Sequence, residues 1–278
     1  MKRISKKIKV TALVLALAVS SLALVGCGGS KSADSKVTKI KVGANITPHS
    51  ELLEEAKKTL KKENIDLEVV KIEDAVTPNT GVTEGTLDAN FFQHQPYLDD
   101  YNKENKTDLV SIGAVHYEPF AVYSSKIEDL SDLKKGAKIA VPNNVTNEAR
   151  ALLLLEQEGV LELKEGADIA ATKEDIKSNP KNIKFVEIDP SQLVKALPDV
   201  DAAVINGNYA IEGGLSIKDA LAVEADTGIA AKTYANIVVT DEAHKNNKAL
   251  KKLVKVLQSD SIKKFIESKY EGAVVPIN

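Results

Sequence analysis

The feature that most restricts the fold of this chain is a regular alternation of strand-like and helix-like segments. Residues 39–44 have the pattern of a strand, and residues 50–63 place apolar side chains at helical spacing. A second strand follows at 66–72, and the same order returns farther along the chain. Repeated β–α units predict parallel sheets covered by helices, and this chain length favours two lobes over one large sheet. The predicted fold class is therefore α/β, with two lobes built on mainly parallel sheets.

The remaining predicted segments continue this alternation. They are a weak helix at 82–87, a strand at 88–92, a helix at 97–105, a strand at 109–115, an extended run between lobes at 116–124, a strand at 138–141, a helix at 147–158, a strand at 183–188, a helix at 191–197, strands at 202–205 and 236–239, and helices at 248–258 and 260–269. Open α/β sheets bind ligands beyond the carboxyl ends of their strands. Residues that directly follow strands are therefore the first candidates for a binding site.

The first 26 residues have the pattern of a bacterial lipoprotein signal peptide. Five basic residues precede an uncharged run at 10–26, which is shorter than the about 20 apolar residues of a membrane span. Cys27, the single cysteine, directly follows small and apolar residues at 24–26, where lipoprotein processing attaches a diacylglycerol. We expect a lipid on Cys27, a flexible tether at 27–37, and an anchor at the outer face of the bacterial cell membrane.

The charge balance of the mature chain excludes some classes of partner. The segment before Cys27 carries five basic and no acidic residues, so its removal takes the formal net charge from −3 to −8. A mildly acidic exported protein is a poor candidate for binding nucleic acid. With Cys27 lipidated, no cysteine remains for a disulfide or a thiolate metal site.

Aromatic residues are concentrated in one part of the sequence. The chain has 7 Tyr, 5 Phe and no Trp, and seven of these aromatics lie between 91 and 123. This concentration favours an aromatic-lined pocket near the strand-to-helix segment at 90–97. Strand alternation puts Phe91 and Phe92 on opposite faces, so only one should reach a cleft. We expect Phe91 and Tyr101 to pack in the core.

Arginine is rare, and one arginine lies in a suggestive position. Thirty-five of the 37 basic residues are lysines, and Arg150 is the only arginine after Arg3. Arg150 lies one turn into a predicted helix with Thr146 or Asn144 as its cap. Free backbone N–H groups at a helix start and a planar guanidinium both suit a carboxylate. We therefore predict that Arg150 binds an anion. A phosphate ligand is the alternative, but the glycine-rich loop that holds phosphate groups does not accompany Arg150.

Two asparagines form a third candidate group. Asn206 follows the predicted strand 202–205, and Asn236 opens the predicted strand 236–239. Amide side chains both donate and accept hydrogen bonds, so they can hold an ammonium group or the edge of a carboxylate. Each residue taken alone is also typical of a turn.

Motifs for catalysis or for a resident metal are not found in the sequence. The four histidines, His49, His94, His116 and His244, form no HExxH motif, and no acidic cluster has metal-ligand spacing. Zinc chelation by His94 and His116 is a minor alternative. No GxSxG elbow is present. We expect no enzyme, no cofactor and no metal.

Several of these segments resemble one known family in detail. They are similar to the methionine-binding lipoproteins of ABC importers, the NlpA-type family, in the stretches ANFFQHQPYLDDYNKENKTDLVSIGAVHYEPFAVYS, NEARALLLLEQEGVL, DAAVINGNYA and YANIVV. The resemblance runs from Lys39 to the end of the sequence. It implies a two-lobed type II periplasmic-binding-protein fold with the ligand closed between the lobes. We expect lobe 1 at 38–120 and 234–278, and lobe 2 at 121–233.

The same resemblance implies a ligand site and a function. It places eight residues around the ligand: Arg150 and Asn147 at the carboxylate, Asn206 and Asn236 at the amino-acid backbone, and Phe92, His94, Tyr97 and His116 around the thioether chain. The implied protein is a monomer that captures L-methionine and delivers it to an ABC permease and its ATPase. A methionine derivative, a Gly-Met-like dipeptide or another small amino acid remains an alternative ligand. A metal-carrying or adhesive surface lipoprotein is the alternative from a different class.

Replacing Cys27 by serine should leave a mature domain that folds but carries no lipid, because residues 28–37 read as a tether and not as core. Metabolic labelling with a radioactive fatty acid measures this directly. The unchanged chain should take up the label and the Cys27→Ser chain should not. Label retained on the serine variant would show that Cys27 is not the lipidation site.

Overall fold

The computed structural model describes residues 37–225 and 229–277. The predicted signal peptide, Cys27 and all of the predicted tether except Val37 lie outside these ranges. In the described part, the strands are β1 (Thr38–Ala44), β2 (Ile65–Lys71), β3 (Ala89–His94), β4 (Leu109–Tyr117), β5 (Ala121–Tyr123), β6 (Lys138–Pro142), β7 (Glu162–Leu163), β8 (Ile176–Ser178), β9 (Lys184–Ile188), β10 (Ala202–Ile205), β11 (Ala222–Val223), β12 (Asn236–Asp241) and β13 (Val275–Pro276).

The α-helices of the described part alternate with these strands. They are α1 (Glu51–Lys62), α2 (Thr77–Thr83), α3 (Gln95–Asn105), α4 (Val145–Gln157), α5 (Leu193–Ala196), α6 (Gly207–Glu212), α7 (Ile229–Thr233), α8 (Lys248–Leu257) and α9 (Asp260–Tyr270). None of the helices in the described ranges has the length and apolar character that crossing a membrane requires.

The strands form two larger sheets and one small one. The first sheet has the order β13-β4-β12-β3-β1-β2, the second has the order β11-β5-β10-β6-β9, and β7 pairs with β8. In the first sheet, β1, β2, β3 and β4 run in one direction, and β12 runs antiparallel between β3 and β4. In the second sheet, β5 runs antiparallel between β10 and β11, against the direction of the other four strands.

Most strands within each sheet are thus parallel, as predicted. Each sheet also contains a strand, β12 or β5, that runs antiparallel to both of its neighbours, and the sequence did not indicate this. The physical reason lies in the connections. β5 is the first strand of the second sheet after the chain leaves β4, and β12 is the first strand of the first sheet after the chain returns. A strand that enters directly from the other sheet is not reached through a β–α–β crossover, and so it is free to run antiparallel.

Apolar cores lie on both faces of each larger sheet. On the first sheet, α1, α8 and α9 cover one face and α2 and α3 cover the other. On the second sheet, α4 covers one face, and α5 and α6 cover the other. Leu52 of α1 and Leu152 of α4 are 0% exposed. Burying a leucine fully contributes about 1.5–3 kcal/mol relative to an exposed one, so these helices are held mainly by their apolar faces.

Three predicted segments differ from the structure. The weak helix predicted at 82–87 is α2, which lies earlier because Asp74 accepts hydrogen bonds from the backbone N–H groups of Val76 and Thr77. The extended run predicted at 116–124 is divided between the end of β4 and all of β5. The helix predicted at 191–197 is reduced to α5 with a 3₁₀ turn on each side, since prolines stand at the start of both turns.

Several short elements were not predicted from the sequence. They are β7, β8, β11, β13, α6 and α7. Each is too short for a hydrophobic period to be recognised. The helix predicted at 147–158 is α4, which ends at Gln157 and is followed by Gly159 with φ +68°, a backbone conformation that favours glycine.

Candidate ligand-binding cleft

A cleft lies where three strands of the two sheets end and three helices begin. β3 leads into α3, β6 leads into α4, and β10 leads into α6. The free space in the cleft, counting the open solvent at its mouth, is about 500 Å³. Its lining residues are Asn45, Ala75, Phe92, Gln93, His94, Tyr97, Glu118, Asn144, Asn147, Arg150, Pro190, Asn206, Gly207, Asn208, Tyr209 and Asn236. Seven of the eight residues predicted to contact a ligand are therefore brought together here, and His116 is the exception.

His94 caps α3 and spans the cleft. Its Nδ1 accepts a hydrogen bond from the backbone N–H of Tyr97 at 3.3 Å, and its Nε2–H donates to Asn147 Oδ1 at 3.1 Å. Burial, together with the positive charge of Arg150, lowers the pKa of His94 to about 4. A neutral imidazole that both accepts and donates matches these two contacts.

Asn147 connects all three strand-to-helix turns. Its side chain and its backbone N–H both donate to Asn144 Oδ1, at 2.7 and 3.1 Å, so that Asn144 is the cap of α4. Its own Oδ1 accepts from His94 and from Asn206 Nδ2, the latter at 3.1 Å. The side chain of Asn147 therefore holds the starts of α3, α4 and α6 together.

Arg150 is buried and paired with a residue that the sequence did not indicate. Its Nε donates to Glu224 Oε1 at 2.9 Å, and its Nη2 donates to Glu224 Oε2 at 2.5 Å and to the carbonyl oxygen of Glu118 at 2.8 Å. Its guanidinium carbon lies 4.4 Å from the ring centre of Phe120 and 4.2 Å from that of Tyr234. The guanidinium is thus fixed from several directions.

The ion pair with Glu224 limits which N–H groups of Arg150 can bind a ligand. The sequence suggested that its planar fork would take a carboxylate, but the Nε–Nη2 edge of the fork already holds Glu224. Nη1 makes no hydrogen bond with the residues that the structure describes, and Arg150 lines the cleft. Burial by itself would raise the pKa of Glu224, but the charge and hydrogen bonds of Arg150, together with hydrogen bonds from Tyr117 and the Phe120 N–H, outweigh burial, and the pKa is lowered. Glu224 is therefore a carboxylate, and Nη1 is the group left for an anionic ligand.

Asn206 and Asn236 differ in what they still offer. Asn206 Oδ1 is buried and has no hydrogen-bond partner within the described residues. Because an unpaired buried acceptor is costly, this oxygen suits a ligand that donates a hydrogen bond. Asn236 Oδ1 already accepts from His49 Nε2 at 2.8 Å.

Aromatic rings form one side of the cleft. The rings of Phe92 and Tyr97 meet edge to face with centroids 5.9 Å apart, and His94 and Tyr97 do the same at 6.4 Å. Phe91 is 0% exposed and packs in the core, as predicted. Tyr101 is only partly buried and packs against the core on the other face of the first sheet.

His116 lies behind the cleft and not in its lining. It is 0% exposed, packs against Phe91, and donates from Nε2 to Glu118 Oε1 at 2.7 Å. Burial lowers the pKa of His116 to about 3. The structure therefore places His116 outside the cleft lining, with its Nε2 directed at Glu118.

Two acidic residues of the cleft region were not predicted from the sequence. Glu118 lines the cleft directly after β4, and Glu224 follows β11. The rule that sites follow strand ends would have indicated Glu118, because β4 was predicted almost in full. Glu224 gave no comparable signal, since β11 has only two residues.

One group in the described ranges has the spacing of a metal site. His49, His116 and Glu118 place ligand atoms within 4.8 Å of one another. His94 is not part of this group, so the zinc pair considered from the sequence, His94 and His116, is not brought together as such.

The fold and the cleft together define a two-lobed binding protein of the α/β class, with its site between the lobes. A family model described as NlpA lipoprotein matches residues 40–278. The chain belongs to this family.

Individual relatives match over nearly the whole chain. The methionine-binding lipoprotein MetQ of Bacillus subtilis (strain 168) is 40% identical over 279 residues, covering 98% of this chain and 99% of the relative. The D-methionine-binding lipoprotein MetQ of Escherichia coli (strain K12) is 40% identical, with 97% and 98% covered. The structure of a nutrient binding protein from Burkholderia cenocepacia bound to methionine has a TM-score of 0.82 and 45% identity, covering 86% of this chain and 100% of that one.

Replacing His94 by glutamine should make the free energy of unfolding depend less on pH. The pKa of His94 is about 4 in the folded protein and near 6.5 in the unfolded chain, so folding loses stability as pH falls from 6.5 towards 4. One such group contributes a slope of about 1.4 kcal/mol per pH unit. Urea unfolding between pH 4 and 7 should show a slope lower by up to this amount in His94→Gln.

The matched control is Leu153→Ala, which removes apolar packing from α4 but no titrating group. It should lower the unfolding free energy at every pH and leave the slope unchanged. A His94→Gln protein with the wild-type slope would mean that His94 is already protonated in the folded state.

Proposed function

We propose that this chain is the substrate-binding lipoprotein of an ABC importer and that it captures methionine outside the cell membrane. The observation that carries this proposal is the structure from Burkholderia cenocepacia bound to methionine, which is 45% identical over its full length. The names of the relatives from Bacillus subtilis and Escherichia coli agree with it. The family is one of binding proteins, and we expect no catalysis by this chain.

The chemistry of the cleft supports an amino acid with an apolar side chain. A zwitterion is costly to bury unless both of its charged ends are paired. Arg150 offers an N–H group for a carboxylate, and Asn206 offers an unpaired oxygen for a donor. Phe92 and Tyr97 offer aromatic surface, next to which a thioether sulfur gains about 0.3–1.5 kcal/mol.

Asn147 and Asn236 complete the proposed site. Asn147 lies next to Arg150 at the start of α4 and is proposed to help hold the ligand carboxylate. Asn236 is proposed to contact the amino-acid backbone together with Asn206. His94 is proposed to contact the thioether chain, because it lies beside Tyr97 in the cleft lining.

The membrane anchor and the transport partners belong to the same proposal. A lipid on Cys27 and a tether at 27–37 would hold the binding domain at the outer face of the membrane. We expect lobe 1 at 38–120 and 234–278 and lobe 2 at 121–233, with a permease and its ATPase receiving the ligand. Closure of two lobes around a ligand is a common signal in binding proteins of this kind.

Calorimetric titration with a small panel of ligands tests the proposed function. We expect methionine to bind best and norleucine to bind several-fold more weakly, because loss of the sulfur costs about 1 kcal/mol. Methionine sulfoxide should be weaker still, since its oxygen would need a polar partner. Both enantiomers of methionine and Gly-Met belong in the panel. Tighter binding of Gly-Met than of methionine would replace this proposal by a dipeptide-binding function.

Replacing Arg150 by lysine should weaken methionine binding nearly as much as replacing it by alanine. A lysine ammonium is a point charge that cannot hold Glu224 side-on and also present an N–H group to the cleft. Loss of such a buried charge-assisted contact corresponds to about 30-fold or more in dissociation constant. Calorimetry on both variants measures this, with Leu153→Ala as the control for general loss of stability in α4. Near-wild-type affinity in Arg150→Lys would contradict the carboxylate assignment.

A further inference from the structure

Glu118 is the only carboxylate among the residues that line the cleft in the described part of the chain. It is 5% exposed and directly follows β4, where the chain leaves the first sheet for the second. Its own carbonyl oxygen accepts from Arg150 Nη2 at 2.8 Å. The carboxyl group of Glu118, whose pKa burial raises, and the cation of Arg150 therefore belong to one connected wall of the cleft.

Two N–H groups from different elements donate hydrogen bonds to the side chain of Glu118, and a further ring nitrogen, His49 Nε2, lies near it with its own N–H donated to Asn236. His116 Nε2–H donates to Oε1 at 2.7 Å, and His49 Nε2 lies 3.5 Å from the same oxygen. The backbone N–H of Asn208 also donates to the Glu118 side chain. Burial lowers the pKa of His49 to about 4, so both imidazoles are neutral donors. These contacts fix the direction of the carboxylate.

Gly207, the first residue of α6, allows this helix to pack closely against Glu118. A Cβ atom placed on Gly207 would lie 2.8 Å from Glu118 Cβ and 3.3 Å from Glu118 Oε2. Contacts as short as the first do not occur without a shift of the backbone or side chain. Gly207 therefore permits the close approach that delivers the Asn208 N–H to Glu118.

The same three side chains have the spacing of a metal site, but their hydrogen bonds favour another use. A metal-binding histidine normally donates its second ring N–H to a partner. His49 Nδ1 and His116 Nδ1 have no partner within the described residues. Both Nε2 atoms face oxygen acceptors instead, Asn236 Oδ1 and Glu118 Oε1. Each Nε2 is therefore an N–H donor, and the group is a hydrogen-bonded carboxylate with its support.

We propose that Glu118 is the counter-ion of the α-ammonium group of the bound amino acid, with Asn206 Oδ1 as a second acceptor. This inference rests on the proposed function, because it assumes an amino-acid ligand. Among the described residues, no lysine or arginine forms an ion pair with the carboxyl group of Glu118, so the ammonium group of a ligand would be its direct charged partner. Glu118 then makes the cleft select α-amino acids over carboxylic acids that have the same side chain but lack the amino group.

Two ligands and two proteins test this assignment by calorimetry. The ligands are methionine and 4-(methylsulfanyl)butanoate, which has hydrogen in place of the amino group. The wild-type protein should bind the second ligand about 30-fold or more weakly, since a buried charge pair is lost. Glu118→Gln should weaken methionine binding by a similar factor and leave the affinity for 4-(methylsulfanyl)butanoate nearly unchanged. A residue with a merely structural role would weaken both ligands alike.

The matched control is Glu212→Gln, which removes a carboxylate from the end of α6 outside the cleft lining and should change neither affinity. If Glu118→Gln does not fold, as judged by circular dichroism, Glu118→Asp keeps the charge but withdraws it, and should weaken methionine selectively by a smaller factor. Equal weakening of both ligands in a folded variant would overturn the role of Glu118 and leave the proposed function standing. Equal binding of both ligands to the wild-type protein would do the same. A wild-type protein that binds no methionine overturns the proposed function and this inference with it.

Discussion

The ion pair between Arg150 and Glu224 connects the parts of the chain on which the cleft depends. Arg150 comes from α4, Glu224 follows β11, and the carbonyl oxygen of Glu118 adds the crossing between the two sheets. The hydroxyl of Tyr117 also donates to Glu224. Breaking a buried ion pair by removing one partner typically costs about 3–5 kcal/mol. The contacts that keep Arg150 charged and in place therefore also connect the two sheets, through Tyr117 and Glu118.

Besides the contacts of Glu118 and Glu224, the described residues form three hydrogen bonds across the cleft that involve amide or aromatic side chains. His94 donates to Asn147 at 3.1 Å, Asn208 donates to Asn45 at 3.3 Å, and the hydroxyl of Tyr209 donates to the carbonyl oxygen of Glu73 at 3.3 Å. Neutral contacts of this kind contribute about 0.5–1.5 kcal/mol each. A ligand that bonds to both sides adds to this small total, and its binding is thereby coupled to closure of the lobes.

The charges of the cleft are carried by three residues, because the histidines nearby are neutral. Burial lowers the pKa of His49, His94 and His116 well below neutrality. Arg150 and Glu224 compensate each other, which leaves Glu118 as the remaining acidic group. The cleft therefore does not present an excess of positive charge, as a phosphate or dicarboxylate site would.

The sequence by itself determined the α/β class, most of the longer elements, and the strand-to-helix turns that carry His94, Asn147, Arg150 and Asn206. These features are local, because hydrophobic periodicity and turn chemistry depend on neighbours within a few residues. Only the tertiary structure decided which distant residues meet. Glu224 lies 74 positions from Arg150, and the second sheet must bring β11 beside β5 and α4 onto its face before the pair can form. The family resemblance placed His116 at the ligand, but the packing of β4 turns its Nε2 towards Glu118, and no sequence period reports that direction.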